Sequence, residues 1–315
     1  MLENIEQKLA QFQLQNSPIS MREPIKYILI GNGKRLRPVL TLISTEAVGG
    51  KISDSISAAV AIEILHNFTL VHDDIMDNAP TRRGKITIHK KWDSNVAILA
   101  GDAMIALAYN ELGKLNPKYF KNVIQLFTNG LFKVCEGQSL DKEFETKNVS
   151  IKEYFKMIDK KTSKLFSVAI EVGAVLGGGS KNEILALKKF GLYLGNAFQI
   201  QDDLLDVIAD EKEFGKKIGG DIKEGKRTLL LIMAQQKSGG KDKILIDKVL
   251  NRKCKSEKEI SEVISIYKKL NIIEDAKKNI IKNILQAKKE LSKLKQNSAV
   301  KFLYWTLEQV SQRVY

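Results

Sequence analysis

The sequence predicts an all-α fold, and three observations carry the prediction. Helix-start signals recur: Asn116-Pro117 reads as N-cap and first helical position, and Ser150…Glu153, Ser180…Glu183 and Ser256…Glu259 have capping-box spacing. Strand signals do not: no stretch alternates cleanly, and no Asn-Gly or Asp-Gly joins two apolar runs. Apolar residues fall instead at helical spacing, as at Ile260, Val263, Ile264 and Tyr267. The long helices are expected near 55–77, 92–113, 118–145, 150–176 and 181–209, apolar over much of their surface as core helices are.

A chain of 315 residues with five prolines and no Ser/Gly/Pro linker reads as a single domain over 1–315. Its start, Met1-Leu2-Glu3-Asn4-Ile5-Glu6, lacks the apolar core of a signal peptide. No apolar run reaches the roughly 18 residues needed to span a bilayer, so no transmembrane segment is expected. Cys135 and Cys254 lack metal spacing and read as reduced thiols of a cytoplasmic protein. Much of the net charge of +14 lies after residue 236, in Lys-rich helical stretches. No aromatic residues interleave those lysines as base-stacking platforms, so a solvated face is expected and no nucleic acid.

Taken in order, the first chemical signal is Gly31-Asn32-Gly33-Lys34-Arg35-Leu36-Arg37-Pro38. Two glycines allow close backbone approach, and three cations crowd a helix start, where the helix dipole disfavours them unless an anion binds. The apolar run Ala58 to Val71 then closes in Asp73-Asp74-Ile75-Met76-Asp77. On a helix Asp73 and Asp77 share a face, with Asp74 at its edge. Three carboxylates within one turn call for an external cation, and oxygen-only ligands suit Mg²⁺ shared with phosphate. Arg82 and Arg83 follow in a turn marked by Pro80 and Gly84, and guanidinium forks match phosphate. A second apolar run, Phe190 to Ile200, closes in Asp202-Asp203-Leu204-Leu205-Asp206. With 16 Asp in the whole chain, two such clusters are no accident, and two facing acidic helix ends would clamp one metal cluster. Beyond them, Gly215 to Asp221 and Glu224 to Leu229 are glycine- and lysine-bearing loops of the kind that close over phosphate.

These motifs resemble those of the trans-isoprenyl diphosphate synthases, the polyprenyl synthetases, closely over residues 30 to 230 and more loosely beyond. Gly33-Lys34…Arg37-Pro38, the two aspartate motifs with their flanks, Lys161-Thr162 and Phe198-Gln199 carry the resemblance. It implies a helical bundle around a deep central cavity, built as a homodimer. The implied reaction is a Mg²⁺-dependent head-to-tail condensation of isopentenyl diphosphate with dimethylallyl, geranyl or farnesyl diphosphate, with three ions per active site. By resemblance Lys34, Arg37, His66 and Arg83 hold the isopentenyl diphosphate. Arg82, Lys161, Lys216 and Lys226 grip the allylic diphosphate. Asp73, Asp74, Asp77, Asp202, Asp203 and Asp206 are the metal ligands, supported by Gln138 and Asp141. Thr162 and Gln199 face the forming cation and complete, with Lys161, Asp73 and Asp202, the catalytic set. Gly101-Asp102 matches a pattern that is mainly structural. One departure is Leu230, where many members carry proline; it touches a helix start and no chemistry.

Product length is argued from Phe68, five residues or about 7.5 Å below Asp73 on a helix. By resemblance an aromatic there marks short-chain enzymes, and the small Thr69 beside it leaves C20 open next to C15. The alternatives are a longer-chain synthase and a non-catalytic regulatory subunit. A terpene cyclase is disfavoured, because its second metal motif is usually Asn/Ser/Glu-based. A dead subunit is disfavoured because no ligand is missing.

Overall fold

The computed structural model describes residues 1–12, 14, 17–31, 33–208, 218–251 and 256–312. The chain is all-α, as expected. First come α1 (Leu2–Ala10), α2 (Ile19–Leu29), α3 (Leu36–Ala47) and α4 (Ile56–Met76). Then follow α5 (Ile88–Lys91), α6 (Ser94–Leu112), α7 (Pro117–Phe144) and α8 (Ile151–Ile158). A π-helical turn, Asp159–Ser163, leads into α9 (Lys164–Leu176) and α10 (Lys181–Ile208). The rest is α11 (Gly220–Glu224), α12 (Leu229–Lys237), α13 (Gly240–Leu250), α14 (Glu257–Lys269), α15 (Ile272–Leu291) and α16 (Ser298–Gln312). The long helices lie within a few residues of their expected bounds. The break in 150–176 at the π turn was not expected.

Among the described residues, the exception to all-α is a ribbon in which Thr81–Arg82 pairs antiparallel with Lys85–Ile86. Its two-residue turn, Arg83 (φ 50°) and Gly84 (φ 74°), is left-handed at both positions. That geometry matches the twist of a tight hairpin, and Gly84 adopts it without steric cost. The expected turn is therefore a hairpin tip that presents Arg82 and Arg83 side by side.

The chain forms two compact units, each assembled from segments distant in sequence. The first comprises Met1–Leu131, Leu165–Lys188 and Leu291–Leu303. Its centre is α4, buried from Ala58 through Leu65 and packed most extensively on α6. Small residues make the approach close: Ala97, Ala100, Gly101 and Ala108 are buried on α6, and a Cβ on Gly101 would stand 2.2 Å from His72 Nε2. Gly101 is thus structural, as expected. Similarly α9 meets α3 at Gly173, whose added Cβ would lie 2.1 Å from the Thr41 carbonyl, and Thr45 Oγ1 donates to the Gly173 carbonyl at 3.0 Å. One expectation fails here: residues Ile52–Met76 are long and apolar enough by composition to cross a membrane. Most of that stretch is buried inside the unit, so its apolar character is that of a core helix.

The second unit comprises Phe132–Lys164, Lys189–Glu290 and the chain from Tyr304 onward. Its helices start where the sequence places them. Ser150 and Ser256 cap α8 and α14 through reciprocal bonds with Glu153 and Glu259. In α14 Val263 and Tyr267 are buried as expected, with Ile266 beside them, while Ile260 and Ile264 are half-buried. Arg227 ties loops together through backbone carbonyls. Its guanidinium donates to the carbonyls of Gly225, Leu250, Glu145 and Lys147, filling acceptors that helix ends leave open.

Candidate active site

The basic loop after α2 is held by its middle cation. Arg35 is buried, adopts a left-handed conformation (φ 46°) and donates to Glu63 Oε1 at 2.7 Å. Its Nη2 donates to the carbonyls of Leu29 at 2.6 Å and Gly31 at 2.8 Å, at the C-terminal end of α2. Asn67 donates to the same Glu63 oxygen at 3.0 Å. A buried pair of this kind, with both side chains 2% exposed, costs about 3–5 kcal/mol if one partner is removed. Sequence alone does not separate Arg35 from Lys34 and Arg37; the distinguishing signal is Glu63, a lone carboxylate inside an apolar helix run.

Around that anchor gathers a surplus of cations. Arg37 packs over Phe166, 4.3 Å from the ring centroid, and reaches His66 Nε2 at 3.2 Å. Guanidinium only donates, so His66 Nε2 accepts and the imidazole carries its proton on Nδ1. Burial, reinforced by Arg37, Arg83, Arg82 and Arg35, pushes the His66 pKa well below its usual value, so the ring is neutral. Burial, offset by Glu63 and aided by Arg83, lowers Arg37 to about 10, still charged at neutral pH. Gly33 leaves room for these cations: a Cβ would stand 2.8 Å from Arg83 Nη1 and 3.2 Å from Arg35 Nη1 and would displace the Arg83 guanidinium. Four guanidiniums thus face two carboxylates, Glu63 and Asp74, and the remaining positive charge suits an anion.

Arg82 and Arg83 arrive on the hairpin, which is pinned to α2 by the Tyr27 hydroxyl donating to the Ile86 carbonyl at 2.9 Å. Arg82 Nε donates to Asp74 Oδ1 at 2.6 Å. This divides the first aspartate cluster. Asp74 is buried and engaged with the protein, whereas Asp73 is half-buried and Asp77 exposed at the end of α4. A cleft in this unit is lined by Tyr27, Gly31, Leu70, Asp74, Arg82 and Arg83. Phe68 is buried with its ring edge-on to His72, 4.7 Å between centroids, and Thr69 spends its hydroxyl on the His66 carbonyl at 2.7 Å.

In the second unit the chemistry gathers on the π turn Asp159–Ser163. Two glycines let neighbouring helices close on it. A Cβ on Gly137 of α7 would stand 2.2 Å from the Lys161 nitrogen, and one on Gly195 of α10 would stand 2.4 Å from Ser163 Cα. The turn then engages side chains one helical turn further along each helix. Lys161 Nζ donates to Asp141 at 2.5 Å, and Thr162 Oγ1 donates to Gln199 Oε1 at 2.6 Å. Lys160 turns away to Glu136 at 2.6 Å, which separates the two lysines that the sequence leaves adjacent. Insertions of this kind re-aim side chains and recur at functional sites.

The second aspartate cluster divides as the first does. Asp203 is buried and accepts from Tyr154 at 2.7 Å, Gln199 at 2.9 Å and the Leu229 backbone at 3.4 Å. Burial and the nearby Asp221 push its carboxyl up to about 7. Asp206 is half-buried, accepts from the Asp221 nitrogen at 3.0 Å and is likewise raised by burial and Asp221. Asp202 is exposed. Sequence reasoning missed Tyr154 and Asp221. A tyrosine on the buried face of α8 with Met157 and Ile158 was the available signal, because a buried hydroxyl needs a partner.

Of the other expected residues, Gln138 is buried, and Lys226 pairs with Glu224 at 3.0 Å and Asp221 at 3.3 Å. Lys34 is exposed on the basic loop, and Lys216 lies outside the described residues. Among the described residues no three carboxylate, imidazole or thiol side chains already converge as a closed metal site. The less buried carboxylates of each cluster, Asp73 and Asp77 on α4 and Asp202 and Asp206 on α10, are oxygen donors of the kind that suits Mg²⁺, an ion that keeps waters and takes phosphate oxygens rather than a protein cage.

Fold and residues together define a class: an all-α protein offering helix-borne carboxylates to a hard cation, with surplus cationic groups for phosphate. The sequence profile of the polyprenyl synthetase family matches residues 19–267, and the chain belongs to that family. It is similar to the short chain isoprenyl diphosphate synthase of Methanothermobacter thermautotrophicus, 38% identical over 285 residues, which cover 90% of this chain and 87% of that one. The geranylgeranyl diphosphate synthase of Sulfolobus acidocaldarius is 39% identical over 271 residues, 82% of each chain. The crystal structure of a geranylgeranyl pyrophosphate synthetase from Pyrococcus horikoshii superposes with a TM-score of 0.94 at 37% identity, covering 99% of this chain and 95% of that one.

Proposed function

We propose that the protein is a trans-prenyltransferase that condenses isopentenyl diphosphate with an allylic diphosphate and releases diphosphate. The observation that carries the reading is the division of labour within both aspartate motifs. In each, the second aspartate is buried and bonded to a side chain from elsewhere in its unit, while the first lies nearer solvent on the same helix end. Polyprenyl synthetases are magnesium-dependent. Asp73, Asp77, Asp202 and Asp206 would hold the metal, and three ions per active site is our expectation from the family. Bound there, Mg²⁺ supplies charge neutralisation of the departing diphosphate.

The chain's own residues do the rest. Lys34, Arg37, Arg83 and neutral His66 bind the isopentenyl diphosphate. Arg82, Lys161, Lys216 and Lys226 bind and orient the allylic diphosphate, so that negative charge develops on the leaving group where cations already stand. The oxygens of Thr162 and Gln199, bonded to each other, favour positive charge on the allylic carbons without reacting with it. The isopentenyl double bond attacks that carbon, a carbon–carbon bond forms, and a proton leaves to the released diphosphate. No serine or cysteine nucleophile is required.

A C15–C20 product is the expected length, with Phe68 as floor and Thr69 beside it. The family match spans segments of both compact units, which supports treating the chain as one catalytic domain. The adjacent exposed apolar side chains Ile98 and Leu99 on α6 support a homodimer, and a cytoplasmic location is our expectation from the family. The test is stoichiometry: one diphosphate released per isopentenyl unit incorporated, abolished by chelation. Diphosphate release without incorporation would refute a synthase.

A further inference from the structure

We propose that Tyr154 is a positioning residue for this reaction, fixing the orientation of the Gln199 amide through Asp203; the proposal rests on the reading above. The geometry is a relay of three bonds. Tyr154 Oη donates to Asp203 Oδ2 at 2.7 Å, Gln199 Nε2 donates to Asp203 Oδ1 at 2.9 Å, and Thr162 Oγ1 donates to Gln199 Oε1 at 2.6 Å. Tyr154 is 1% exposed, and Asp203 is buried beside it.

With Asp203 ionised, each direction in the relay is chemically required. The carboxylate oxygen toward Gln199 accepts, so the Gln199 amide must turn its NH₂ to Asp203. Its carbonyl oxygen is thereby sent to Thr162. An inverted amide would set oxygen against carboxylate and present NH₂, the positive end of the amide, beside Thr162. In the proposed reaction that is where allylic positive charge develops, so inversion opposes the transition state rather than the ground state.

The orientation of Asp203 itself depends on Tyr154. One carboxylate oxygen takes the tyrosine hydroxyl and, at 3.4 Å, the Leu229 backbone nitrogen; the other takes Gln199. The Leu229 contact is long, so the hydroxyl is the stronger of the two restraints on that side. Packing alone does not explain the residue, because phenylalanine would fill the same space without a buried hydroxyl to satisfy.

The experiment compares Tyr154→Phe with wild type. A purely structural role would move melting temperature and KM. The relay predicts instead a kcat about tenfold lower, the range seen when a partner that orients a working side chain is removed, with both KM values within twofold. It also predicts that more of the allylic substrate ends as alcohol. There the C–O bond breaks, water adds to the cation, and a proton and diphosphate are released without a new carbon–carbon bond. A readout independent of turnover is the Gln199 side-chain amide resonance in protein labelled with ¹⁵N-glutamine: sharp in wild type, exchange-broadened in Tyr154→Phe. Asp203→Asn and the double variant should show the same kcat, because both act through one relay. A Tyr154→Phe enzyme with wild-type kcat, alcohol fraction and Gln199 resonance would overturn the proposal. So would a loss of kcat that only follows a fall in melting temperature. If wild type elongates no primer, the proposed function fails, and the resonance still decides the relay.

Discussion

Arg82 Nε stands 2.6 Å from Asp74 Oδ1, with the aspartate buried and the arginine about a third exposed. The pair engages one carboxylate of the first aspartate motif and uses it to hold Arg82 on its hairpin. Three aspartates that look equivalent in sequence therefore have two jobs.

Asparagine substitutions separate those jobs. Asp73→Asn and Asp77→Asn should raise the Mg²⁺ concentration for half-maximal activity about tenfold or more, as expected for lost ligands. Asp74→Asn should instead raise KM for the allylic diphosphate, with a smaller change in Mg²⁺ dependence, because it releases Arg82. Magnesium titrations at saturating substrate and KM measurements at saturating Mg²⁺ distinguish the two patterns.

Gly137 and Gly195 let α7 and α10 touch the π turn. Gly137→Ala would set a methyl 2.2 Å from the Lys161 nitrogen, and Gly195→Ala one 2.4 Å from Ser163 Cα, so the backbone must move. A loss of about 1–3 kcal/mol is expected from overpacking of this kind, measured by urea unfolding. The allylic KM should rise as well, since Lys161 and Thr162 shift with the turn.

Two groups give the stability a pH dependence of opposite sign. Asp203 has a folded pKa of about 7, above the usual carboxylate value, through burial. The native state then holds its proton where the unfolded chain has lost it, so this contribution falls as pH rises from about 4 to 7. His66 has a depressed folded pKa, so its contribution falls as pH drops below the unfolded value of about 6.5. In metal-free protein, Asp203→Asn should flatten the loss of melting temperature between pH 5 and pH 7. His66→Gln should flatten the loss on acidification from pH 7. Unaltered slopes in both variants would contradict the assigned shifts.

Phe68 is buried against His72 on α4, below the first aspartates. If its ring is the floor for the growing chain, Phe68→Ala lengthens the product by at least one five-carbon unit. Chromatography of the dephosphorylated products checks this, and an unchanged length would remove Phe68 from that role.

Much of the helical framework was legible because its signals are local. Capping boxes at Ser150 and Ser256 and the N-cap of α7 depend on residues within one turn. The π turn was not, since Asp159–Ser163 holds no glycine or proline to mark a break, and the helices that close on it at Gly137 and Gly195 come from elsewhere in the chain. The aspartate clusters were legible as chemistry, but not the split within them, which depends on Arg82 and Tyr154 arriving from elsewhere in the chain. The same holds for the basic loop. Lys34, Arg35 and Arg37 look alike in sequence, and Glu63 decides which of them becomes the buried anchor.

The most direct measurement is product analysis. Purified protein is incubated with Mg²⁺, labelled isopentenyl diphosphate and dimethylallyl, geranyl or farnesyl diphosphate in turn, and chain length is read after phosphatase treatment. The account predicts a C15 or C20 product that disappears on chelation. No Mg²⁺-dependent product with any of the three primers would contradict it.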